Sequence, residues 1–480
     1  MGHAFRSRLF AGLLFPSIAL SLHGCGDDSE EPARSDAPPA SDSQPPAPVD
    51  SVVFASSGPD QRAVVGDTVM FNGSDSFASD DRTLSYTWRL VEQPAGSDAE
   101  LASSMSEEPS LLLDAAGDYE IELVVSDGVR NSTPDVVEVV AIAAASGTGR
   151  TLPLIANDLV ADPLRGLLYA SVPSTSTFSG AGNSVAAIDP ETATVTEAVF
   201  VGSEPGPLAI TDDGQYLYVG ISGSLEIRRI DLATFEAEPP FAIPQGRFGD
   251  PRSATRLATL AGKPEIVVVS TSIARRSPGF AGVVVFDSGV ALPNETPDFS
   301  GASELVGGRD NTLYGYNNRT TGFEFQVLTV DENGIAVDSE VSGLLGRGDT
   351  RIIYAGDTVI ATTGEVIDVS GSSPRLAGTF ATSGPVAADA RRAYYLDDER
   401  TFGEYVLRSF NRDSFLVEGE ESLFAIFRTQ IVGEPQGLIR WGTRGLAFWS
   451  LDGFDDPPSS GQVYILTSDR VEPRQGEERL

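Results

Sequence analysis

From residue 50 onward the chain is a succession of short apolar runs broken by turn residues. In the first stretch the pattern has a period of two. Tyr119, Ile121 and Leu123 alternate with Glu120 and Glu122, and similar runs cover 51–54, 63–65, 68–71 and 85–88. Successive side chains of a strand point to opposite faces, so each run predicts a strand with one face in a core. Turn signals recur roughly every 8–12 residues, the spacing of an all-β sandwich. No amphipathic helix of useful length is visible anywhere in the chain.

After a Gly/Ala/Ser link at 143–149 the strands continue to the end, now as a repeated unit. The unit is an apolar strand, an Asp or Gly turn, a second apolar strand, a loop, a third strand often ending in Asp, and a fourth strand. One copy runs through Leu159-Val160-Ala161-Asp162, then 167–172, 184–189 and 195–201. The next runs through 207–214, Tyr216-Leu217-Tyr218-Val219-Gly220 and 225–231. Later copies are degenerate, with third strands expected at 283–287, 326–331, 365–369, 405–410 and 462–466. Seven units in residues 150–471 are about 46 residues each, the length of a propeller blade. The last unit lacks a fourth strand before Pro473, whereas 151–155 has no place in the first. That segment is therefore expected to close the ring beside the last blade.

The fold class expected is all-β: an immunoglobulin-like sandwich over 50–142 followed by a seven-bladed β-propeller over 150–471, with a tail at 472–480. Two resemblances support it. The strings Ser57-Gly58-Pro59-Asp60-Gln61, Gly66-Asp67-Thr68-Val69, Asn72-Gly73-Ser74-Asp75-Ser76, Leu84-Ser85-Tyr86-Thr87-Trp88 and Gly117-Asp118-Tyr119 through Ser126-Asp127-Gly128 resemble PKD domains. The usual Trp-Asp-Phe-Gly-Asp-Gly core is replaced by Trp88-Arg89-Leu90-Val91, as in PKD-like variants of receptor and surface proteins. The resemblance implies a spacer or adhesion module. Tyr216 through Gly220 and Ile188-Asp189-Pro190-Glu191-Thr192-Ala193-Thr194-Val195 resemble YVTN-type surface-layer propellers. The Gly-His and Trp-Asp marks of WD40 blades are absent.

The N-terminus carries Arg6 and Arg8, then an apolar run from Leu9 to Leu22 that is too short for a stable transmembrane helix. It ends in Leu22-His23-Gly24-Cys25, which resembles the lipobox of bacterial lipoproteins. The resemblance implies a signal peptide at 1–24 and lipidation of Cys25. It also implies membrane anchoring through the acyl chains, each stabilising by about 0.8 kcal/mol per buried methylene. Gly26, where Asp tends to retain such proteins at the inner membrane, implies the outer membrane, facing either the cell surface or the periplasm. Residues 26–49 are acidic and Pro-rich with almost no apolar content, and so read as a disordered tether.

Composition then removes options. The chain holds 69 acidic against 33 basic residues, a formal charge of −36, which repels nucleic-acid phosphates. Its one Cys and two His all lie at or before position 25. The mature chain is left without disulfides, Cys/His zinc sites, Ser-His-Asp triads or Cys-His dyads.

Candidate ligand-binding residues are those on loops entering the innermost strands: Glu204, Arg247, Asp250, Arg347, Asp349 and Glu434. Converging carboxylates would hold Ca²⁺; alternating Arg and carboxylate would instead pair with each other. No catalytic residue, protein-bound metal ligand or cofactor is assigned, Ca²⁺ being the one cofactor the carboxylates allow. Arg275, Arg276, Asn317, Asn318, Arg319, the 397–400 run and Asp452, Asp455 and Asp456 read as solvated loop tips. Asp212-Asp213-Gly214 reads as a hairpin turn, and Asp60 and Asp127 as turn residues or, alternatively, calcium ligands. Two functions follow. One is a surface-displayed binding lipoprotein with a protein or saccharide partner. The other is a Ca²⁺-dependent propeller enzyme, a lactonase, hydrolase or saccharide-acting protein using carboxylates without His.

Overall fold

A computed structural model describes residues 52–346, 348–398, 404–452 and 457–471. Apart from one short helix, Leu423–Phe427, its regular elements are strands. The signal-peptide, Cys25 and tether readings lie outside the described residues.

The first part is a two-sheet sandwich. One sheet orders Gln61–Val64, Asp135–Ile142, Gly117–Ser126 and Ser85–Glu92 side by side; the facing one holds Thr68–Met70, Ser110–Leu112 and Leu101–Ala102. Alternation along Gly117–Ser126 buries Tyr119, Ile121, Leu123 and Val125 completely. Trp88 packs on Phe71 at 5.8 Å between ring centres and donates its indole N–H to the Ser106 carbonyl at 3.0 Å. A buried indole keeps its polar tip satisfied in this way, so Trp88 is a core residue. The Tyr119 hydroxyl turns back to the Ala115 N–H and carbonyl, the corner contact that pins a strand start in such sandwiches.

The rest of the described chain forms seven antiparallel sheets. Blade 1 runs Asp158–Asp162, Leu167–Val172, Ser184–Asp189, Thr194–Phe200, from the innermost strand outward. The innermost strands of blades 2 to 7 are Pro205–Ile210, Ser253–Leu260, Glu304–Gly307, Ile352–Ala355, Val386–Ala388 and Glu434–Trp441. Each lies beside its neighbour around a common axis, blade 7 beside blade 1. Apolar clusters fill the seams between successive blades. Tyr169, Val185, Leu217 and Val219 join blades 1 and 2, and Leu168, Ile188, Trp449 and Ile465 join blades 7 and 1. The expected third strands fall within observed ones, except that 365–369 runs one residue past Glu365–Asp368.

The ring closes beside the last blade, with only 151 and 152 of the expected 151–155 in the closing strand. Thr148–Leu152 is the outer strand of blade 7, with Thr151 opposite Tyr464. It begins at Thr148, inside the stretch read as linker. Pairing the two ends of the propeller removes an exposed strand edge. Gly149 in this strand sits under Phe427 of the helix, and a Cβ there would run into the ring.

The sandwich is docked on the propeller. Arg62 pairs with Glu404 and lies 4.9 Å from the Phe424 ring centre. Arg428 reaches Asp67 at 2.7 Å, and Ser146 donates its N–H to Glu421 at 2.7 Å. These contacts fall on the connection between the second and third strands of blade 6, on the end of its outer strand and on the helix after it.

Candidate functional site

Two ends of the ring differ by construction. At one, here the loop face, the chain enters each innermost strand and links second to third strands. At the other, tight hairpins join first to second strands. Long connections gather at the loop face of blades 3 and 4, at 243–252, 273–279, 292–303 and 317–323.

Charged side chains cluster just inside the loop face. Asp158 opens the innermost strand of blade 1, Glu304 opens that of blade 4, Arg351 immediately precedes that of blade 5, and Arg256 lies within that of blade 3. Asp158 accepts the Leu208 N–H of the next blade at 2.9 Å. Arg256 donates Nε to Glu304 Oε2 at 2.9 Å and Nη1 to its neighbour's carbonyl, that of Thr255, at 2.8 Å. Arg351 donates to the Gln436 carbonyl of blade 7 at 2.5 Å. Burial pushes the Asp158 carboxyl up, against the pull of the Leu208 N–H and the nearby guanidinium groups. Burial also pushes Arg351 down, and the like charge of Arg256 adds to it. Burial acts the same way on Arg256, but the surrounding carboxylates, Glu304 first and then Asp158 and Asp349, together outweigh it and hold that guanidinium above its usual range.

Beside this belt, between blades 3 and 4, lies a pocket of about 310 Å³. Arg256, Arg276 and Arg319 line it together with Thr255, Thr271 and Glu304. The opposite mouth is a wider funnel of about 620 Å³ whose walls are mostly apolar, among them Val160, Leu208, Val306 and Ile353. Its hairpin carboxylates are engaged: Asp162 accepts the Leu164 and Arg165 N–H groups, and Asp212 accepts the Gly262 N–H. Asp213 accepts the Thr211 hydroxyl at 2.7 Å and the Gln215 N–H at 2.9 Å, so the Asp-Asp-Gly segment is a turn.

The five described loop residues of the six singled out from the sequence do not form one cluster. Asp250 lies 3.6 Å from Arg276, and Asp349 lies 3.7 Å from Arg319, so these two flank the pocket through its arginines. Glu204 instead orders its own loop: its N–H donates to Asn183 at 3.0 Å and its carbonyl accepts the Ser222 hydroxyl at 2.9 Å. Arg247 is exposed beside Phe248, and Glu434 is exposed at the start of blade 7. Arg347 lies outside the described residues, as do 399, 400, 455 and 456 of the expected loop tips. Among the described residues no three acidic, His or Cys side chains meet as a metal-ligand set. Asp127 accepts the Val129 and Arg130 N–H groups, which hold its carboxyl below the usual range, and Asp60 accepts the Glu138 N–H. Both are engaged as turn and strand-end acceptors.

Several loop residues are not solvated tips. Asn317 is buried and bridges the Thr320 N–H and Glu324, while Asn318 ties Ser303 to the Thr350 carbonyl. Arg276 lines the pocket half-buried, and Arg319, an exposed tip as expected, also reaches its rim. Asp158, Arg256, Glu304 and Arg351 were not among the candidates. Their signal was present in one case: Arg256 is a charge in the middle of an innermost strand, between Thr255 and Leu257.

Comparison with known proteins identifies one segment. A family model describing a PKD domain matches residues 57–141. No curated protein sequence matches the chain. Among solved structures, U3-55K is 13% identical over 67% of this chain and 98% of its own, with a TM-score of 0.47. The RRP9 WD40 repeats are 14% identical over 68% and 98%, with a TM-score of 0.47. The β-propeller domain of Cps50 (Swd1) from Myceliophteria thermophila is 11% identical over 66% and 98%, with a TM-score of 0.48. At these scores the likenesses assign no ligand or activity.

Proposed function

We propose that the chain is a lipid-anchored envelope protein, tethered through Cys25, whose docked PKD-like domain and propeller present the loop face to a protein or saccharide. The observation that carries this reading is the polar crowding of that face. It gathers guanidinium and carboxylate groups of several blades, whereas the opposite mouth is apolar. The PKD-like domain makes its contacts on blade 6 and the helix after it. The absence of His and Cys beyond residue 25 favours binding over acid–base or nucleophilic chemistry. The calcium-dependent enzyme reading has no ligand set among the described residues. The test is fractionation of bacteria producing the full chain or Cys25→Ser, with an alkyne fatty acid in the medium. The wild type takes up the label, stays with the outer membrane and is cleaved by protease added to intact cells; the variant is unlabelled and soluble. Equal fractionation of the two, without label, overturns the anchor.

A further inference from the structure

The sandwich is open along one side. Its two sheets end there in Ser85–Glu92 and Leu101–Ala102, and between these edges runs a groove of about 520 Å³. At Trp88 the groove is bridged: its N–H points away from Gly117–Ser126 and donates to the Ser104 carbonyl at 2.9 Å. Backbone groups alternate sides along a strand, so Leu90, two residues on, faces the same way. Among the described residues no backbone group pairs with Leu90 on that side. Leu90, Ala99 and Leu101 line the groove and pack on the sandwich core, yet are only partly buried. An unpaired strand edge beside uncovered core is a template for an added strand. The register slips between Leu90 and Glu92, which keeps the open stretch short.

Charge beside the edge selects the occupant. On the outer face of the same sheet Glu92 lies opposite Glu120, and Glu120 opposite Glu138. Directly opposite residues share a face with Cβ atoms about 5 Å apart, so like charges there repel. Among the described residues none of the three carboxylates has a partner. Arg89, on the same face, is taken by Glu122. Glu100 adds a further carboxylate at the groove. A strand laid along Ser85–Glu92 would extend the row by one position, where a lysine or arginine offsets the repulsion. Its alternate residues would turn onto Leu90, Ala99 and Leu101. Pairing with a second copy through this edge would instead set one acidic row beside another.

We propose that this edge takes an extended segment of another protein, with basic and apolar residues in alternation, by strand addition. The site stands apart from the loop face of the propeller and from the lipid anchor. Calorimetry tests it on the chain from residue 26 onward, which keeps every described residue. The probes are three capped heptapeptides: Lys and Val in alternation, Glu and Val in alternation, and the first with its central residue replaced by Pro. The Lys–Val peptide is expected to bind about tenfold or more tighter than either other, a difference of about 1.4 kcal/mol or more. Glu92→Gln with Glu120→Gln and Glu138→Gln should remove its advantage over the Glu–Val peptide. Glu191→Gln with Glu197→Gln and Glu236→Gln, at exposed positions of blades 1 and 2, should keep it. Circular dichroism melts show whether each triple is folded; for one that is not, Glu92→Gln alone serves, with a severalfold loss expected.

A second readout locates the peptide. The chain beyond Cys25 has no thiol, so an introduced Cys is unique. Val91→Cys, at a 49% exposed position beside the edge, should form a mixed disulfide with a Lys–Val peptide ending in Cys. Leu164→Cys, 65% exposed on blade 1, should not. The Pro peptide binding as tightly as its parent overturns strand addition. Equal loss in the two triples reduces the effect to net charge, and no binding of the Lys–Val peptide overturns the site. A Val91→Cys disulfide dimer that excludes the peptide gives the edge to a second copy and overturns the proposed partner.

Discussion

Blades 1 and 2 differ from blades 3 and 4 in what fills their interiors. In the first pair, apolar side chains do most of the packing: Leu168, Ile188, Leu217, Val219, Ile221, Ile227 and Ile230 are all buried. The second pair carries apolar seams too, but also buries Arg252, Glu304, Gln326 and Asn317. Arg252, 1% exposed, forms a bidentate pair with Glu295 at 2.6 and 3.1 Å. Polar interiors need specific partners, and those partners are supplied by long connections such as 292–303. The regular repeats of blades 1 and 2 are thus packed mostly by carbon, and the degenerate repeats of blades 3 and 4 bury more polar groups beside it.

Four variants break or sharpen that contrast. Leu217→Ala in blade 2 should cost about 3–4 kcal/mol in urea melts, from lost transfer energy and the cavity left at a 0% exposed site. Arg252→Met in blade 3 should cost about 2 kcal/mol, because the Glu295 and Asp298 carboxylates lose their shared partner while solvent still reaches Glu295. Adding Glu295→Gln should recover part of that loss, whereas no charge substitution recovers Leu217→Ala; additive losses at 252 and 295 would contradict the pairing account. Asn317→Ala in blade 4 should cost about 1–2 kcal/mol, since its amide links the Thr320 N–H to Glu324.

The smallest effect is expected outside both pairs, at Asp368 in blade 5. The Ser370 hydroxyl and N–H, and then Arg375, hold its carboxyl at about 2, below the ordinary 3.8. A depressed carboxyl contributes stability above its unfolded value and loses it as pH falls through the folded one. The melting-temperature gap between wild type and Asp368→Asn should thus be constant above about pH 5 and close as the pH approaches 2. The exposed Arg375 partner keeps the gap small.

Much of the architecture was legible in order and period. Glu120 and Glu122 between Tyr119, Ile121 and Leu123 place one strand's two faces without any tertiary information. The unmatched apolar run at 151–155 and the missing fourth strand of the last unit together foretold the closure by Thr148–Leu152. The candidate site was less legible. Residue type and loop position selected Glu204 and Asp250 alike, yet one orders its own turn and the other faces Arg276. Arg276 looked like a loop tip because exposure cannot be read from polarity in a long connection.

The chain by itself determined the class of each element, the number of blades and the residue types left for chemistry. Those properties are local: strand periodicity, turn residues, and the placement of every Cys and His at or before position 25. Only the tertiary structure decided which charges meet. Arg256 and Glu304 are one blade apart in sequence, Asp158 and Leu208 likewise, and Arg351 reaches Gln436 across two blades. A ring brings such residues together around its axis, and no local pattern records which of them will face the same space.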